Sequence, residues 1–167
     1  MSERRCCLIT GPTHGIGRVT VERLSEQGYD VLLACRDVEL GKTVAKAIAG
    51  GAQVFHCDLA RWDTVAQMTS DVLSRYSRLD LLINNAGFID LDGMRVGDYP
   101  AMMAVNHLGP YLLTTRLFDL VTSTPGSRII NVASYAHRSA TIEFDDPLCT
   151  RSPASGMMAY GHCERAV

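Results

Sequence analysis

Long apolar runs are missing from this chain. No stretch of about 18 apolar residues occurs, the length a membrane-spanning helix needs. The apolar run near the start, Cys6-Cys7-Leu8-Ile9, is far too short for a signal peptide or a membrane anchor. An excess of charge of either sign is also missing. Sixteen basic residues face eighteen acidic ones, and a net charge of −2 gives no electrostatic case for nucleic acid or an anionic membrane. Paired cysteine spacing is absent too: the six cysteines, at 6, 7, 35, 57, 149 and 163, form no C-x-x-C. That argues against a metal site and for reduced thiols in a cytoplasmic compartment. His56, His107, His137 and His162 share no ligand spacing either. Internal repeats and low-complexity tracts do not occur.

What is present suits one globular domain over residues 1–167, long enough for a sizeable core, with 47% apolar and 20% charged residues. Strand and helix patterns alternate. Strands are predicted at Cys6–Thr10, Tyr29–Ala34, Gln53–Cys57, Leu79–Asn84 and Arg128–Ala133. Helices are predicted at Ile16–Gln27, Val38–Ala49, Trp62–Tyr76 and Tyr99–Ser123, with one more opening at Ala159 after a loop over 136–158. Val19, Val21 and Leu24 are the candidate inward positions of the first helix, and Trp62, Val65, Met68, Val72 and Leu73 carry helical spacing in the third. Trp62 reads as a core or helix-start anchor. Continuous apolar strands joined by helices imply an α/β, doubly wound parallel sheet of Rossmann type.

The first strand runs into Thr10-Gly11-Pro12-Thr13-His14-Gly15-Ile16-Gly17. A strand, then glycines at 11, 15 and 17, then a helix makes a phosphate cradle. Gly11 permits the tight turn, Gly15 lets backbone approach a pyrophosphate, and Gly17 lets helix and strand pack closely. The helix N-terminus adds N–H donors and positive dipole.

With its G-x-x-x-G-x-G spacing, the chain resembles the short-chain dehydrogenase/reductase family from about residue 5 to residue 163. Other motifs follow in that family's order. Asp58-Leu59 falls where its aspartate meets adenine. Asn84-Asn85-Ala86-Gly87 matches its N-N-A-G, and Val105-Asn106-His107 its helix asparagine. Asn131-Val132-Ala133-Ser134 matches its serine strand, and Ala159-Tyr160-Gly161-His162 the start of its Y-x-x-x-K. Ala34-Cys35-Arg36-Asp37 and residues 106–114 look most like the retinol-dehydrogenase-like branch.

The resemblance implies a nicotinamide cofactor, a small lipophilic alcohol or carbonyl substrate, and a catalytic set of Ser134, Tyr160 and Asn106. Tyr160 would exchange a proton with the substrate oxygen, Ser134 would hydrogen-bond that oxygen, and the Asn106 carbonyl would hold a relay water. Cofactor contacts fall on Gly11, Thr13, His14, Gly15, Ile16, Gly17, Arg36, Asp58, Leu59, Asn85, Ala86 and Gly87. Arg36 ends the second strand where an acidic residue would select NAD. An arginine there pairs with a 2′-phosphate, so NADP(H) is expected, with Asp37 taking the ribose as the alternative.

One position departs from the pattern. The lysine four residues after the tyrosine is replaced by Glu164. A lysine would lower the tyrosine pKa; a carboxylate should raise it above its free value of about 10. Arg165 points about 100° away on a helix and does not substitute. Impaired turnover is expected, with alcohol oxidation suffering more than carbonyl reduction. Pro110 removes the i+4 donor for the Asn106 carbonyl, predicting a kink or an unpaired carbonyl there. Cys163 lies beside Glu164 with no base in view to make it a nucleophile.

The family usually continues through further strands, so the chain reads as a C-terminally truncated domain. The last strand would then be an open apolar edge, available for a homo- or hetero-oligomer. A non-catalytic cofactor-binding or partner-binding fragment is the alternative to an active enzyme.

Overall fold

A computed structural model describes residues 4–48, 50–151 and 156–166. Ala49, Pro153 and the two chain ends, which enter the sequence reading, lie outside the described residues. Five parallel strands form the central sheet: β1 (Cys6–Thr10), β2 (Asp30–Cys35), β3 (Gln53–His56), β4 (Leu81–Asn84) and, counted after a short hairpin, β7 (Arg128–Asn131). The hairpin pairs β5 (Arg95–Val96) with β6 (Tyr99–Pro100). Helices α1 (Gly15–Glu26), α2 (Val38–Ala47), α3 (Trp62–Arg75) and α4 (Gly109–Ser123) follow β1, β2, β3 and the hairpin in turn, and α5 (Gly156–Ala166) closes the described chain.

The sheet order is β3-β2-β1-β4-β7, all parallel, which is the doubly wound fold expected from the sequence. Chain direction across the sheet reverses between β1 and β4, so a crevice opens at their C-terminal ends, beside Thr10 and Asn84.

Period-two alternation along β1 sends successive side chains into two different cores. Cys6 and Leu8 join Leu32, Met68, Val72, Leu82, Leu113 and Leu117 under α3 and α4. Cys7 and Ile9 join Val21, Leu33, Val44 and Ile83 under α1 and α2. Each fully buried leucine or isoleucine contributes roughly 1.5–3 kcal/mol, which explains why β1 is apolar without a break. At the opposite end of the sheet, Asp80 accepts two bonds from Arg78, at 2.6 and 2.9 Å, and one from the Cys6 N–H at 2.8 Å. The Arg78 guanidinium holds the Asp80 carboxyl below its usual range.

Several expectations are corrected. Val19 is exposed, because Gly17, Val21 and Ser25 form the inward stripe and Val19 lies about 200° round from Gly17. Leu73 is exposed for the same reason, one residue past Val72. The strand expected from Leu79 starts at Leu81, since Asp80 is committed to the Arg78 and Cys6 contacts. The last sheet strand ends at Asn131, and Ser134 follows in a turn that leads into a 3₁₀ helix at Tyr135–Ser139. Helix α5 begins at Gly156, three residues before the expected start. The largest difference is at Tyr99–Pro100, which is strand and not the start of a helix. Asp92-Gly93 and Gly97-Asp98 supply turn residues with positive φ (77° and 58° at the glycines), and these fold 91–100 into the hairpin.

Pro110 disturbs the helix after the hairpin as its chemistry requires. It stands in the first turn of α4, and the preceding Met103–Leu108 is a π-helical turn. There the Gly109 N–H reaches back five residues to the Ala104 carbonyl. A widened turn is how the backbone accommodates the missing donor. Gly109 is required for a second reason: a Cβ there would lie 2.7 Å from the Leu59 carbonyl oxygen.

Candidate functional site

The turn after β1 is strapped to the end of β4. The Thr10 hydroxyl accepts the N–H groups of Asn85 and Ala86 at 3.1 and 3.0 Å, and the Asn85 amide donates back to the carbonyls of Thr10 and Gly11 at 3.0 and 3.1 Å. Gly17 sits against this strap so closely that a Cβ would lie 2.1 Å from the Gly11 carbonyl oxygen and 2.5 Å from the Asn85 amide nitrogen. Gly15 is the opposite case. Its φ of +51° suits glycine, and nothing lies within 4 Å of where its Cβ would be. The first turn of α1 carries no acidic residue, and His14 at its N-cap makes no side-chain bond to it. A compressed turn, open on one side and facing a helix N-terminus free of carboxylates, fits a diphosphate.

Two cavities meet at this turn. The first, about 600 Å³, is lined by Gly11, Thr13, His14, Arg36 and Asp37 on one side and by Cys57, Asp58 and Leu59 on another. Arg36 is exposed at its rim. Asp37 is engaged elsewhere: its carboxylate caps α2 by accepting the Leu40 N–H at 2.9 Å. Asp58 accepts the Ala60 N–H at 3.0 Å, while its own N–H donates to Thr64 Oγ1 at 2.9 Å. Met94, Arg95 and Val96 roof this cavity. These roof residues were not found from the sequence, although the two glycine-containing turns around them were the available signal. Arg95 reaches the carbonyls of Asp98 and Thr150, tying the hairpin to the segment before α5.

The second cavity, about 450 Å³, is lined by Ile16, Asn84, Asn106, Asn131, Ser134, Tyr160 and Glu164, among others. Ala86 and Gly87 line both cavities, so the two form one cleft along the ends of β1 and β4. Helix α5 places Tyr160 and Glu164 one turn apart on the same face. Gly161 allows its close approach to the 135–139 turn, since a Cβ there would lie 2.9 Å from the Ala136 carbonyl oxygen.

The Glu164 carboxylate is buried and accepts the Ser134 backbone N–H at 2.7 Å. Tyr160 lines the same cavity as Ser134 and Glu164. Burial pushes the Tyr160 phenol above its ordinary range. Its bond with Ser134 opposes the shift, and the Glu164 charge and hydrogen bond add to it. Arg165 turns away and donates to the carbonyls of His137 and Ala140 at 3.2 and 2.7 Å. His162 faces the Pro147 carbonyl at 2.9 Å. Burial drives the Cys163 thiol up to about 12, so it is no thiolate nucleophile at neutral pH.

Two asparagines complete the wall. The Asn106 side chain clasps the backbone of Phe88, accepting its N–H at 3.1 Å and donating to its carbonyl at 2.9 Å. Asn84 donates to Thr114 Oγ1 at 3.0 Å and to Asn131 Oδ1 at 2.8 Å. Its own Oδ1 is buried without a partner among the described residues. The catalytic and cofactor-contact residues expected from the sequence line these two cavities, apart from Gly15 and Gly17 in the glycine turn. Among the described residues no group of three His, Cys, Asp or Glu is placed to hold a metal, and no helix is long and apolar enough to cross a membrane.

A family model described as short chain dehydrogenase matches residues 5–145. The chain is 37% identical to retinol dehydrogenase 13 of Homo sapiens over 83% of this chain and 44% of that protein. An uncharacterized protein from Mycobacterium Paratuberculosis has a crystal structure similar at a TM-score of 0.84 and 30% identity, over 96% of this chain and 57% of that one. A metagenomic short-chain oxidoreductase solved in complex with NADP gives a TM-score of 0.78 at 30% identity, over 97% of this chain and 71% of that one. The chain spans about half the length of the curated relatives it matches.

Proposed function

We propose, from the premise that this chain belongs to the short chain dehydrogenase family, that it binds NADP(H) along the β1–β4 cleft and reduces a lipophilic carbonyl compound, with the reverse alcohol oxidation strongly impaired. The observation that carries this reading is that Ser134, Tyr160 and Glu164 line one cavity where the glycine-turn cleft ends.

In this reading Gly11, Thr13, His14, Gly15, Ile16 and Gly17 hold the diphosphate, Asp58 and Leu59 face the adenine, and Asn85, Ala86 and Gly87 form the wall. Arg36 takes the 2′-phosphate through its fork of donors. Support comes from Asp37, whose carboxylate is already committed to the α2 cap and is a poor partner for a ribose diol. The NADP complex of the similar metagenomic oxidoreductase points the same way. The cofactor, when bound, supplies or accepts the hydride. Tyr160 gives its proton to the carbonyl oxygen, Ser134 orients that oxygen, and Asn106 contributes its backbone carbonyl at the widened turn. A phenol kept protonated by burial and by Glu164 serves as an acid for reduction. It is a poor base for alcohol oxidation, which needs the phenolate. A lipophilic substrate is proposed because a similar human protein is named a retinol dehydrogenase. Six buried free thiols support a reducing, cytoplasmic setting.

A second reading, a non-catalytic fragment that binds cofactor or a partner chain, is favoured by one feature. β7 ends the sheet, with Ile130 and Val132 exposed, and its free edge suits pairing with another copy or an intact relative. A thermal unfolding scan with NADPH or NADH, followed by an aldehyde-reduction assay, separates the readings. A ligand at 100 times its Kd adds about 2.7 kcal/mol to the native state. A shift with NADPH plus turnover supports the enzyme, a shift without turnover supports a non-catalytic cofactor binder, and no shift sinks the NADP(H) reading and leaves only partner binding.

A further inference from the structure

We infer that Glu164 reverses the cleft's preference between the two redox forms of its cofactor, so that this chain binds NADP⁺ more tightly than NADPH. The inference rests on the cofactor reading above and adds which form of the dinucleotide the site holds.

Hydride transfer brings the donor and acceptor carbons to about 3–3.5 Å. A substrate whose oxygen is held by Tyr160 and Ser134 therefore fixes the nicotinamide ring in the same cavity as those two side chains. Glu164 lines that cavity one helical turn from Tyr160 and is held in place by the Ser134 N–H at 2.7 Å. The charge of the cavity is one-sided. No Lys, Arg or His is among its lining residues, and the nearest candidate by sequence, Arg165, is bonded to carbonyls outside it. Asn84, which also lines the cavity, carries no charge. The wall thus offers a carboxylate with no cation among the lining residues to balance it.

The oxidised nicotinamide ring carries one positive charge and the reduced ring none. A buried carboxylate in the same cavity would stabilise the first and be nearly indifferent to the second. At an effective dielectric of about 20 this difference amounts to roughly tenfold or more in the ratio of the two affinities. A lysine at position 164 would act in the opposite sense. The consequence is a chain that retains the oxidised cofactor after a reduction and exchanges it slowly.

Isothermal titration of the full chain with NADP⁺ and with NADPH at pH 8, repeated on Glu164→Gln, tests this without turnover. The expected result is tighter binding of NADP⁺ by the unmodified chain, with the preference falling about tenfold or more in Glu164→Gln. NADPH binding as tightly as NADP⁺, or tighter, in the unmodified chain overturns the inference even where the variant does not fold. An affinity ratio unchanged by Glu164→Gln also overturns it and leaves the cofactor reading standing. Failure of both forms to bind overturns the two together.

Discussion

The two ends of the cleft are built by different means. At the glycine turn, the proposed diphosphate site is built from backbone geometry. A Cβ on Gly17 would lie 2.1 Å from the Gly11 carbonyl oxygen, Gly15 opens onto empty space, and Thr10 and Asn85 tie turn to sheet with four hydrogen bonds. At the Tyr160 corner, function depends on the charge of one side chain. Glu164 keeps the corner well packed and hydrogen-bonded, yet reverses the electrostatics that a lysine would supply. Backbone-built sites fail when they no longer fit. Charge-built sites can keep their fit and lose or invert their chemistry.

Gly17→Ala should have the largest effect. Its new Cβ meets backbone at 2.1 Å, so we expect loss of measurable NADPH binding and a destabilisation of about 3 kcal/mol or more, read by calorimetry and denaturant unfolding. Gly15→Ala, with open space around it, should cost only about 1–2 kcal/mol from its positive φ. At the other end, Glu164→Lys should raise alcohol oxidation at pH 8 on the order of 100-fold, by lowering the Tyr160 pKa. Absorbance at 340 nm with NADP⁺ and an alcohol measures this. In the unmodified chain the raised Tyr160 pKa predicts oxidation that climbs only above pH 10 and reduction that declines over the same range.

Arg36→Ala should weaken NADPH binding about tenfold while leaving NADH nearly unchanged, since a charge-assisted bond contributes about 1.5–3 kcal/mol. Equal losses for both cofactors would remove the 2′-phosphate assignment. Asn106→Ala should cost about 2 kcal/mol by leaving the Phe88 N–H and carbonyl unpaired, read as a lower denaturation midpoint. Stability should also depend on alkaline pH. The Cys57 and Cys163 thiols are pushed up from 9.0 to about 12 in the folded chain. Their contribution to stability is complete below the unfolded pKa and is lost as pH rises through the folded value. The thermal midpoint should therefore decline gradually from about pH 9 upward.

Legibility in the sequence followed the same division. The parallel sheet, the glycine turn and the ordered motifs were readable because apolar runs and glycines report backbone constraints directly. Glu164 was readable as a departure, and its predicted effect on Tyr160 agrees with the direction set by the corner's geometry. The hairpin at 95–100 was missed, because two-residue strands carry too little periodicity and Tyr99-Pro100 adjoins a true helical pattern. Val19 was misassigned since an apolar side chain on a short helix says nothing about which face meets the sheet. The Ser134–Glu164 bond was invisible, as it joins residues 30 apart through a turn whose path no local signal fixes. Pro110 did announce a disturbance at Asn106, though not that the helix would widen by one residue per turn in response.

The strap between Thr10, Gly11, Asn85 and Ala86 has a consequence for how this cleft discriminates. Four hydrogen bonds and a glycine contact leave the floor one arrangement, already formed before any ligand arrives. Such preorganisation lowers the ordering cost of association equally for every nucleotide that carries a diphosphate, and so cannot tell one from another. Selectivity is then expected to rest with the rim, where Arg36 is exposed at the surface beside the Arg95 hairpin. The floor behaves as an anvil, common to all comers, and evolutionary or engineered changes of nucleotide preference are expected to leave it untouched.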